Sequence, residues 1–400
     1  MKKHIVILGG SYAGVSAMLV LQKNTQLSIT LIDQHPYHFL QTQGYELISG
    51  DISFEETIVS LPALCANYKN VIFKHKTVMS VDEKRKEVIL NNGEIESYDT
   101  LLLALGSVTK RFVCDANVYN YSSGAKSLRG ALTLNQFFQK ELYKRLESDK
   151  KAKESFNIVV GGAGLSGVEI AASMQYFFNR YYKSNALSCA SLHIHLIASR
   201  RTVLNGMHHS IVDLATKRLK KLRVKIHTNN RIKTINEHEV VLTDGTLIAF
   251  DFMILAGGTR TAPCLDTLAL EKNNKGQFVT DMYLRANKRD DIFIAGDIAS
   301  LCDKNGNPLP PTAQSAIQSG RVAAYNILRI EKNQKPKSAN IKIKGLAIAL
   351  GGKYAIIEFG LFHIDGYLAY LVKKLIERLY KWPLWWLSYR GYKKIDSCEI

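Results

Sequence analysis

The chain has 400 residues, of which 46% are hydrophobic and 22% charged, and its formal net charge is +18. This length exceeds what one ordinary hydrophobic core supports, so we expect two or three domains, and the composition excludes an intrinsically disordered protein. The positive charge favours an anionic partner such as a lipid surface, a nucleic acid or a phosphate-rich ligand, and the six scattered cysteines indicate neither a metal site nor a disulfide framework.

The first predicted element is a buried strand over His4–Leu8, a short apolar run that ends at glycines. A glycine turn, a helix over Val15–Lys23 and a second strand over Leu27–Asp33 follow it. Continuous runs of Ile and Val are typical of parallel strands buried on both faces. A signal peptide is not expected, because no cleavage region follows the apolar run.

The turn carries the dinucleotide-binding pattern G-x-G-x-x-G, with Ser11 in place of the middle glycine. Backbone amides at the start of the helix face the pyrophosphate in this pattern. Asp33 ends the next strand, about 20 residues further on, where an acid accepts hydrogen bonds from a ribose. The candidate nucleotide contacts of this first module are Gly9, Gly10, Ser11, Tyr12, Ala13, Gly14, Asp33 and Gln34.

Hairpins are predicted in both halves of the chain, over Asp82–Asp99 and Asn236–Asp251, from Asn-Gly and Asp-Gly turns between apolar strands. A buried strand overlaps or follows each hairpin, over Tyr98–Ser107 and Phe250–Thr259. The small residues where these strands end are further candidate contacts: Ala104, Gly106 and Gly257.

A complete glycine pattern begins again at Phe156 and contains Gly162, Gly164 and Gly167. The whole arrangement therefore indicates a duplicated module. Glu169, one turn into the second helix, is placed to face a nicotinamide, although an acid in a first turn also stabilises a helix dipole.

The strand after the second turn lacks the ribose acid. Ala198 or Ser199 stands at that position, and Arg200 and Arg201 follow. Three interpretations remain open: NAD binds without the acid, NADP is preferred because Arg200 contacts its 2′-phosphate, or the turn holds no ligand.

The last predicted strand, Asp291–Ala299, contains the string "IFIAGDIA" and precedes a helix over Thr312–Ile330. Two glycine modules closed by this string resemble the two-dinucleotide-binding flavoprotein superfamily. The resemblance implies FAD in the first module, NADH or NADPH in the inserted one, and contact of Gly296 and Asp297 with the flavin, Asp297 at its ribityl chain.

A narrower resemblance, over nearly the whole chain, is to type II NADH:quinone oxidoreductases. It is carried by the segment His35–Asp51, by Glu169, and by "AQSAIQ", which contains Ala313, Gln314 and Gln318 and fits the quinone-site pattern A-Q-x-A-x-Q of that family. The resemblance implies transfer of two electrons from NAD(P)H through FAD to a membrane quinone; proton pumping is not expected, because no spanning segment is predicted. Glu169 would position the nicotinamide, while Gln314 and Gln318 would contact the quinone; the alternative for the two glutamines is an i, i+4 surface pair.

This sequence departs from the family at Ala198 and in the segment Lys110–Ser123, which lacks an expected glycine-rich loop. The fold that the resemblance implies is α/β, with two Rossmann-like domains. The FAD domain would comprise residues 1–115 and 271–335, the inserted NAD(P)H domain residues 116–270, and a C-terminal membrane-association segment residues 336–400.

The C-terminal segment contains all three tryptophans of the protein. From Gly366 onward, leucines recur at helical spacing among lysines and aromatic residues, typical of an amphipathic helix lying in a lipid surface. The cations Lys373, Lys374, Arg378 and Lys381 are expected to face headgroups. The alternative is a helix docked on the body or on a second subunit.

We therefore expect a peripheral protein on the cytoplasmic face of the inner membrane. No spanning helix is expected, because no uncharged apolar stretch reaches about 18 residues. The expected partners are membrane lipid and quinone; nucleic acid is not favoured, and a homodimer is left open.

Two alternative functions remain. A sulfide:quinone oxidoreductase would need paired reactive cysteines near the flavin, for which Cys114, Cys264 and Cys302 are candidates. A basic redox-signalling or nucleic-acid-binding flavoprotein, resembling apoptosis-inducing factor, would need its cations in a stripe along the body.

Overall fold

A computed structural model describes residues 2–110, 122–148, 154–184, 192–287, 289–360 and 362–395. Within these ranges the helices are, in chain order, α1 Tyr12–Leu21, α2 Gly44–Ser49, α3 Leu61–Cys65, α4 Leu128–Glu147, α5 Leu165–Ser184, α6 His209–Leu222, α7 Ala313–Glu331 and α8 Tyr367–Tyr392. The strands are β1 Lys3–Leu8, β2 Leu27–Asp33, β3 Tyr37–Phe39, β4 Ile58–Ser60, β5 Val71–His75, β6 Val78–Asp82, β7 Glu87–Leu90, β8 Ile95–Ser97, β9 Thr100–Leu103, β10 Ser107–Thr109, β11 Ser122–Gly124, β12 Phe156–Gly161, β13 Leu192–Ile197, β14 Lys225–His227, β15 Ile232–Ile235, β16 Glu239–Leu242, β17 Leu247–Ala249, β18 Phe252–Leu255, β19 Thr259–Thr261, β20 Ile292–Ile294, β21 Leu346–Ala349, β22 Ala355–Phe359 and β23 Phe362–Gly366.

The first parallel sheet has the strand order β20-β9-β1-β2-β5. Its strands are apolar runs, and β9 is buried along its whole length, as expected for a sheet covered on both faces. Helix α1 begins at Tyr12, earlier than predicted, so that Gly14 of the glycine pattern lies in its first turn, and it packs against α7. The two helices are so close that a Cβ atom at Gly320 would overlap with the carbonyl oxygen of Ala13.

The second parallel sheet repeats this arrangement, with the strand order β11-β18-β12-β13-β14. Strand β1 lies between β9 and β2 in the first sheet, and β12 lies between β18 and β13 in the second. The two strands therefore occupy equivalent places. The α/β fold with two Rossmann-like domains is thereby confirmed, and so is the duplication.

A three-stranded antiparallel sheet accompanies each parallel sheet, β6-β7-β8 in the first half and β15-β16-β17 in the second. Their turns contain Gly93 and Gly245, both with positive φ, as two-residue turns of this kind require. The two predicted hairpins are confirmed; their third strands, β6 and β15, were not predicted.

The C-terminal part forms a small antiparallel sheet, β21-β22-β23, and then the 26-residue helix α8. Only the helix was predicted. Helix α8 lies against α3 so closely that a Cβ atom at Gly391 would overlap with the carbonyl oxygen of Ala63. The Trp385 indole donates to the Ile58 carbonyl over 2.9 Å. No helix among the described residues has the length and hydropathy needed to cross a bilayer.

Candidate functional site

The first glycine turn packs too tightly for any side chain. Gly9 has φ +106°, and a Cβ atom there would overlap with the carbonyl oxygen of Ala104, at the end of β9. A Cβ atom at Gly14 would overlap with the carbonyl oxygen of Gly9. The turn can therefore bring the first amides of α1 close to a phosphate group, as the sequence pattern predicts.

Asp33 lies beside this turn, at the end of β2. Its Oδ2 accepts a hydrogen bond from Gly10 N over 2.6 Å, and its Oδ1 accepts one from His35 N over 2.8 Å. Burial raises the pKa of Asp33, although the two backbone donors oppose this shift. A carboxylate fixed next to the phosphate turn fits the ribose of a dinucleotide, so the residues present suit FAD. Gln34, which follows, is exposed.

Asp297 lies at the edge of the same sheet, in a short 3-10 turn that begins at Gly296. Its Oδ2 accepts from the Ser107 hydroxyl over 2.6 Å and is 3.0 Å from Lys126 Nζ. Gly296 has φ +78°, and its amide donates to Ser319 Oγ on α7 over 3.0 Å. Asp297 is thus held beside the first module, where the resemblance places the ribityl chain.

The second glycine turn reproduces the first. Gly162 has φ +124°, and a Cβ atom there would lie 2.6 Å from Gly257 Cα. A Cβ atom at Gly167 would overlap with the Gly162 carbonyl oxygen, as happens between Gly14 and Gly9. Gly164 faces open space, which leaves room for a ligand over the turn. Beyond β13, Ala198 is buried while Ser199, Arg200 and Arg201 are exposed.

A cavity lies between the two modules, and both contribute to its wall. Its lining residues come from the segment after β3, from β10, from the segment between β11 and α4, from the start of α5 and from the stretch between β18 and β19: Gln41, Gly44, Tyr45, Thr109, Ala125, Lys126, Ser166, Glu169, Ile170, Leu255, Ala256, Gly258 and Thr259. The structure therefore places Glu169 in the wall of this cavity.

Glu169 is half-buried and is held by two donors. Its Oε1 accepts from Ala349 N over 3.0 Å and lies 3.3 Å from Lys373 Nζ on α8. Burial raises the pKa of Glu169, and Lys373 opposes the rise without cancelling it. Burial by itself would lower the pKa of Lys373, but Glu169 and Glu377 outweigh it and keep this pKa above its usual range.

The charges continue from Glu169 into α8 as a buried cluster. Lys373 Nζ is 3.1 Å from Glu377 Oε1, and Lys374 Nζ is 3.2 Å from Glu377 Oε2 and also pairs with Glu46. Burial raises the pKa of Glu46. The Tyr45 hydroxyl, on the cavity wall, has no hydrogen-bond partner among the described residues. The cluster therefore connects the cavity to the helix expected at the membrane.

The two candidate quinone ligands are engaged with backbone. Gln314 Nε2 donates to the Gly345 carbonyl over 2.7 Å, and its Oε1 accepts from Lys344 N over 3.1 Å. Gln318 Nε2 donates to the Lys342 carbonyl over 2.8 Å, and its Oε1 accepts from Lys342 N over 3.1 Å. Both amides thus fasten the segment 342–345 to α7. Neither side chain lines the cavity, and Ala313 is half-buried at the start of α7.

Helix α8 has one docked face and one exposed apolar face. The docked face includes Lys373 and Lys381, whose Nζ donates to the Glu56 carbonyl over 3.1 Å. The expectation that Lys373, Lys374 and Lys381 face headgroups is wrong, because carboxylates and carbonyls of the body bind them; Arg378 is exposed. The exposed face carries large apolar and aromatic side chains: Tyr367, Leu368, Leu371, Leu375, Ile376, Leu379, Trp382, Trp386, Tyr389 and Tyr392.

Two of the three candidate cysteines lie among the described residues. Cys264 is half-buried and Cys302 is exposed, and both are free thiols. Burial raises the pKa of Cys264, which lowers its thiolate fraction. Cys114, like most of the segment Lys110–Ser123, lies outside the described residues.

Sequence reasoning missed several residues of the site. Lys126 belongs to no sequence motif, and it contacts Asp297 only because the fold brings these two distant parts of the chain together. Lys373 and Glu377 have an i, i+4 spacing that could have indicated an ion pair. Glu46 lies within the quoted segment His35–Asp51, but nothing local indicates that its partner is on α8.

Comparisons with known proteins agree with this geometry. A type II NADH:quinone oxidoreductase from Staphylococcus haemolyticus is 26% identical over 390 residues, which cover 94% of each chain. The structure of NDH2 from Plasmodium falciparum in complex with NADH matches with a TM-score of 0.85 at 18% identity, over 99% of each chain. The sulfide:quinone oxidoreductase of Aquifex aeolicus matches with a TM-score of 0.81 at 18% identity, over 96% of this chain and 92% of that one.

The predicted resemblance is confirmed by these relatives, and the structural matches confirm the fold. The sequence pattern of the pyridine nucleotide-disulphide oxidoreductases matches residues 3–320. This chain belongs to the pyridine nucleotide-disulphide oxidoreductase family.

Proposed function

We propose that this protein oxidises NADH or NADPH and reduces a quinone at a lipid surface, with FAD held by the first module. In the overall reaction NAD(P)H, one proton and a quinone give NAD(P)⁺ and a quinol. The observation that carries the proposal is the pair of matched glycine turns, together with a cavity that is lined by residues of both modules. The printed functions of the Staphylococcus and Plasmodium relatives agree with it.

The chain's own residues would bind and orient the reactants. Amides of the first turn would hold the pyrophosphate of FAD, Asp33 its ribose, and Asp297 with Lys126 its ribityl chain. The chemistry that FAD supplies when bound is acceptance of a hydride from the nicotinamide and release of two electrons to a quinone. The second turn and Glu169 would place the nicotinamide in the cavity.

The buried cluster would serve the quinone side. The pKa of Glu169 is raised and its side chain is paired with Lys373, so a proton can be held at this pair, next to the cavity. Gln314 and Gln318 would act there by fixing the segment 342–345, since both of their amides are already hydrogen-bonded to it. The quinone would then reach the cavity from the side of α8.

A pair of equivalent substitutions tests the assignment of the two modules. Gly14→Ala and Gly167→Ala each place a methyl group against the carbonyl oxygen of the first glycine of their turn. We expect Gly14→Ala to lose most bound flavin. Gly167→Ala should keep its flavin but need at least about tenfold more NAD(P)H, a loss of roughly 1.4 kcal/mol of binding. Flavin absorbance per protein and steady-state quinone reduction measure the two effects, and flavin loss in Gly167→Ala alone would reverse the assignment.

The exposed face of α8 would lie in the lipid headgroup region, on the cytoplasmic side of the inner membrane. Its leucines and tryptophans suit that position, and the net charge of +18 attracts anionic lipid. The position also gives a lipid-soluble quinone access to the cavity. A second copy of this chain is the alternative occupant of the same face.

Acidic substitutions on this face distinguish a lipid surface from a second copy of the chain as its occupant. Leu375→Glu with Leu379→Glu should abolish binding to vesicles that contain anionic lipid. Ile95→Glu is the matched control, because Ile95 and Leu375 are each 55% exposed and Ile95 lies on a distant hairpin. Vesicle flotation reports the membrane interaction and sedimentation reports the mass. Unchanged flotation together with a halved mass would instead identify the face as a dimer interface.

No observation favours the sulfide alternative. The match to the sulfide:quinone oxidoreductase shows the shared fold, and burial disfavours the thiolate of Cys264. The nucleic-acid alternative likewise gains nothing from the described surface.

A further inference from the structure

We propose that the second module selects NADPH over NADH, because Arg200 and Arg201 bind the 2′-phosphate of the adenosine ribose. This inference rests on the proposed function, and it names the electron donor that the sequence leaves open. It follows from the position of Ala198, from the surroundings of the two arginines and from the disposition of the neighbouring acid.

The two modules can be compared residue by residue at this point. In the first sheet, Leu8 pairs with Ile32, and Gly9 N donates to the Ile32 carbonyl over 2.8 Å. In the second sheet, Gly161 pairs with Ile197, and Gly162 N donates to the Ile197 carbonyl over 3.1 Å. The residue after Ile32 is Asp33, and the residue after Ile197 is Ala198. Ala198 therefore occupies the position of the ribose acid.

This replacement changes which ribose the module accepts. In the first module, the Asp33 carboxylate sits on the turn, where it can accept from ribose hydroxyls and would repel a phosphate. Ala198 offers neither an acceptor nor a negative charge, and it is only 2% exposed, so its methyl group is fixed in the protein. NADH loses a hydrogen bond at this site, whereas NADPH meets no repulsion.

The arginines lie on a backbone that is already held in place. Arg200 O accepts from Asn229 N over 2.9 Å, and Leu204 N donates to the carbonyl of Ala163, in the glycine turn, over 2.8 Å. Both side chains are exposed, and neither guanidinium has an ion pair or hydrogen bond within the described part of the chain. Two unpaired guanidinium groups directly after the ribose position suit a phosphate, which they can bind in bidentate fashion.

The acid in this neighbourhood does not compensate the arginines. Asn230 N donates to the Ala198 carbonyl over 3.1 Å, and its side-chain amide donates to Asp244 Oδ2 over 2.7 Å. Asp244 also accepts from Thr246 N over 2.9 Å. Within the described residues Asp244 is paired with neither Arg200 nor Arg201, so both guanidinium groups remain available to a ligand.

The test uses the FAD-loaded full chain and two readouts. Calorimetry compares the binding of 2′,5′-ADP, which carries the 2′-phosphate, with that of ADP, which lacks it. Anaerobic flavin reduction compares NADPH with NADH. We expect preferences of at least about tenfold for 2′,5′-ADP and for NADPH.

Variants then locate the preference. Arg200→Ala combined with Arg201→Ala should remove the preference, by weakening the binding of 2′,5′-ADP and NADPH, while Ala198→Asp should shift it toward NADH. Lys221→Ala is the charge control, because Lys221 is exposed at the end of α6, ahead of β14, whereas Arg200 and Arg201 follow the parallel strand β13 and so lie at the other end of the strands. Thermal unfolding confirms that each variant is folded; the double arginine variant alters only exposed side chains and decides the question alone.

Equal binding of 2′,5′-ADP and ADP would overturn the inference, as would a preference that persists in the double variant. Such a result would leave the proposed function standing if NADH supported quinone reduction. Conversely, a protein that reduced no quinone with either nucleotide would contradict the proposed function. The 2′,5′-ADP titration would still decide the present inference, since it requires no turnover.

Discussion

His38 connects the first glycine turn to α8. Its Nε2 lies 3.0 Å from the Tyr380 hydroxyl, and its ring packs edge-on against Tyr12 with 4.7 Å between centroids. Burial lowers the pKa of His38 to about 3. The imidazole is therefore neutral in the folded protein under conditions in which the unfolded chain would bind a proton.

This histidine should make the protein sensitive to acid. The pKa of His38 in the folded protein lies below the ordinary value of 6.5. The contribution of the neutral imidazole to stability is therefore fully present above pH 6.5 and is lost as the pH falls toward about 3. Between pH 7 and 5 we expect this residue to lower the free energy of unfolding by about 2 kcal/mol. His38→Gln should flatten the fall of the unfolding temperature with pH.

The exposed His75 supplies the control, as His75→Gln. If the unfolding temperatures of the wild type and of His38→Gln fell equally steeply with decreasing pH, His38 would not be the group responsible for the acid sensitivity.

At the scale of elements, α7 and the segment 342–345 form a unit through two glutamine amides. Gln318→Ala removes a donor and an acceptor that bind Lys342, which should destabilise the protein by about 1–2 kcal/mol. The segment would then be free to shift. We expect the KM for quinone to rise severalfold while flavin reduction by NAD(P)H keeps its rate.

Stopped-flow measurement of the two half-reactions checks this separation. Gln26→Ala is a suitable control, because the Gln26 side chain is exposed and makes no hydrogen bond within the described ranges. A slower flavin reduction with unchanged quinone kinetics would assign Gln318 to the wrong substrate.

Helix α8 shows what an amphipathic pattern can and cannot predict. Leu371, Leu375 and Leu379 share one face, and Lys373, Glu377 and Lys381 share another, as the helical repeat requires. The pattern therefore predicted a two-faced helix. It could not predict that the charged face is buried, since that depends on Glu46 and Glu169, which come from distant parts of the chain.

At the scale of the whole molecule, the sequence predicted the central strands of both parallel sheets and both hairpins, but not strands β5, β11 and β14. Glycine turns and buried strands are local sequence patterns. Because the module is duplicated, recognition of one copy strengthens the prediction of the other. The β21-β23 sheet was missed because its short strands lie in a segment dominated by the signal of α8. The cavity could not be predicted either, because its wall combines residues from distant parts of the chain: the segment after β3, strand β10, the start of α5 and the stretch between β18 and β19.

The proposed reaction requires electrons to enter through one module and to leave toward a quinone. The most direct measurement follows the flavin absorbance of the FAD-loaded protein without oxygen, first on addition of NAD(P)H and then on addition of a soluble quinone. We predict that the absorbance disappears on the first addition and returns on the second. Protein that binds no FAD, or reduced flavin that the quinone fails to reoxidise, would contradict the account.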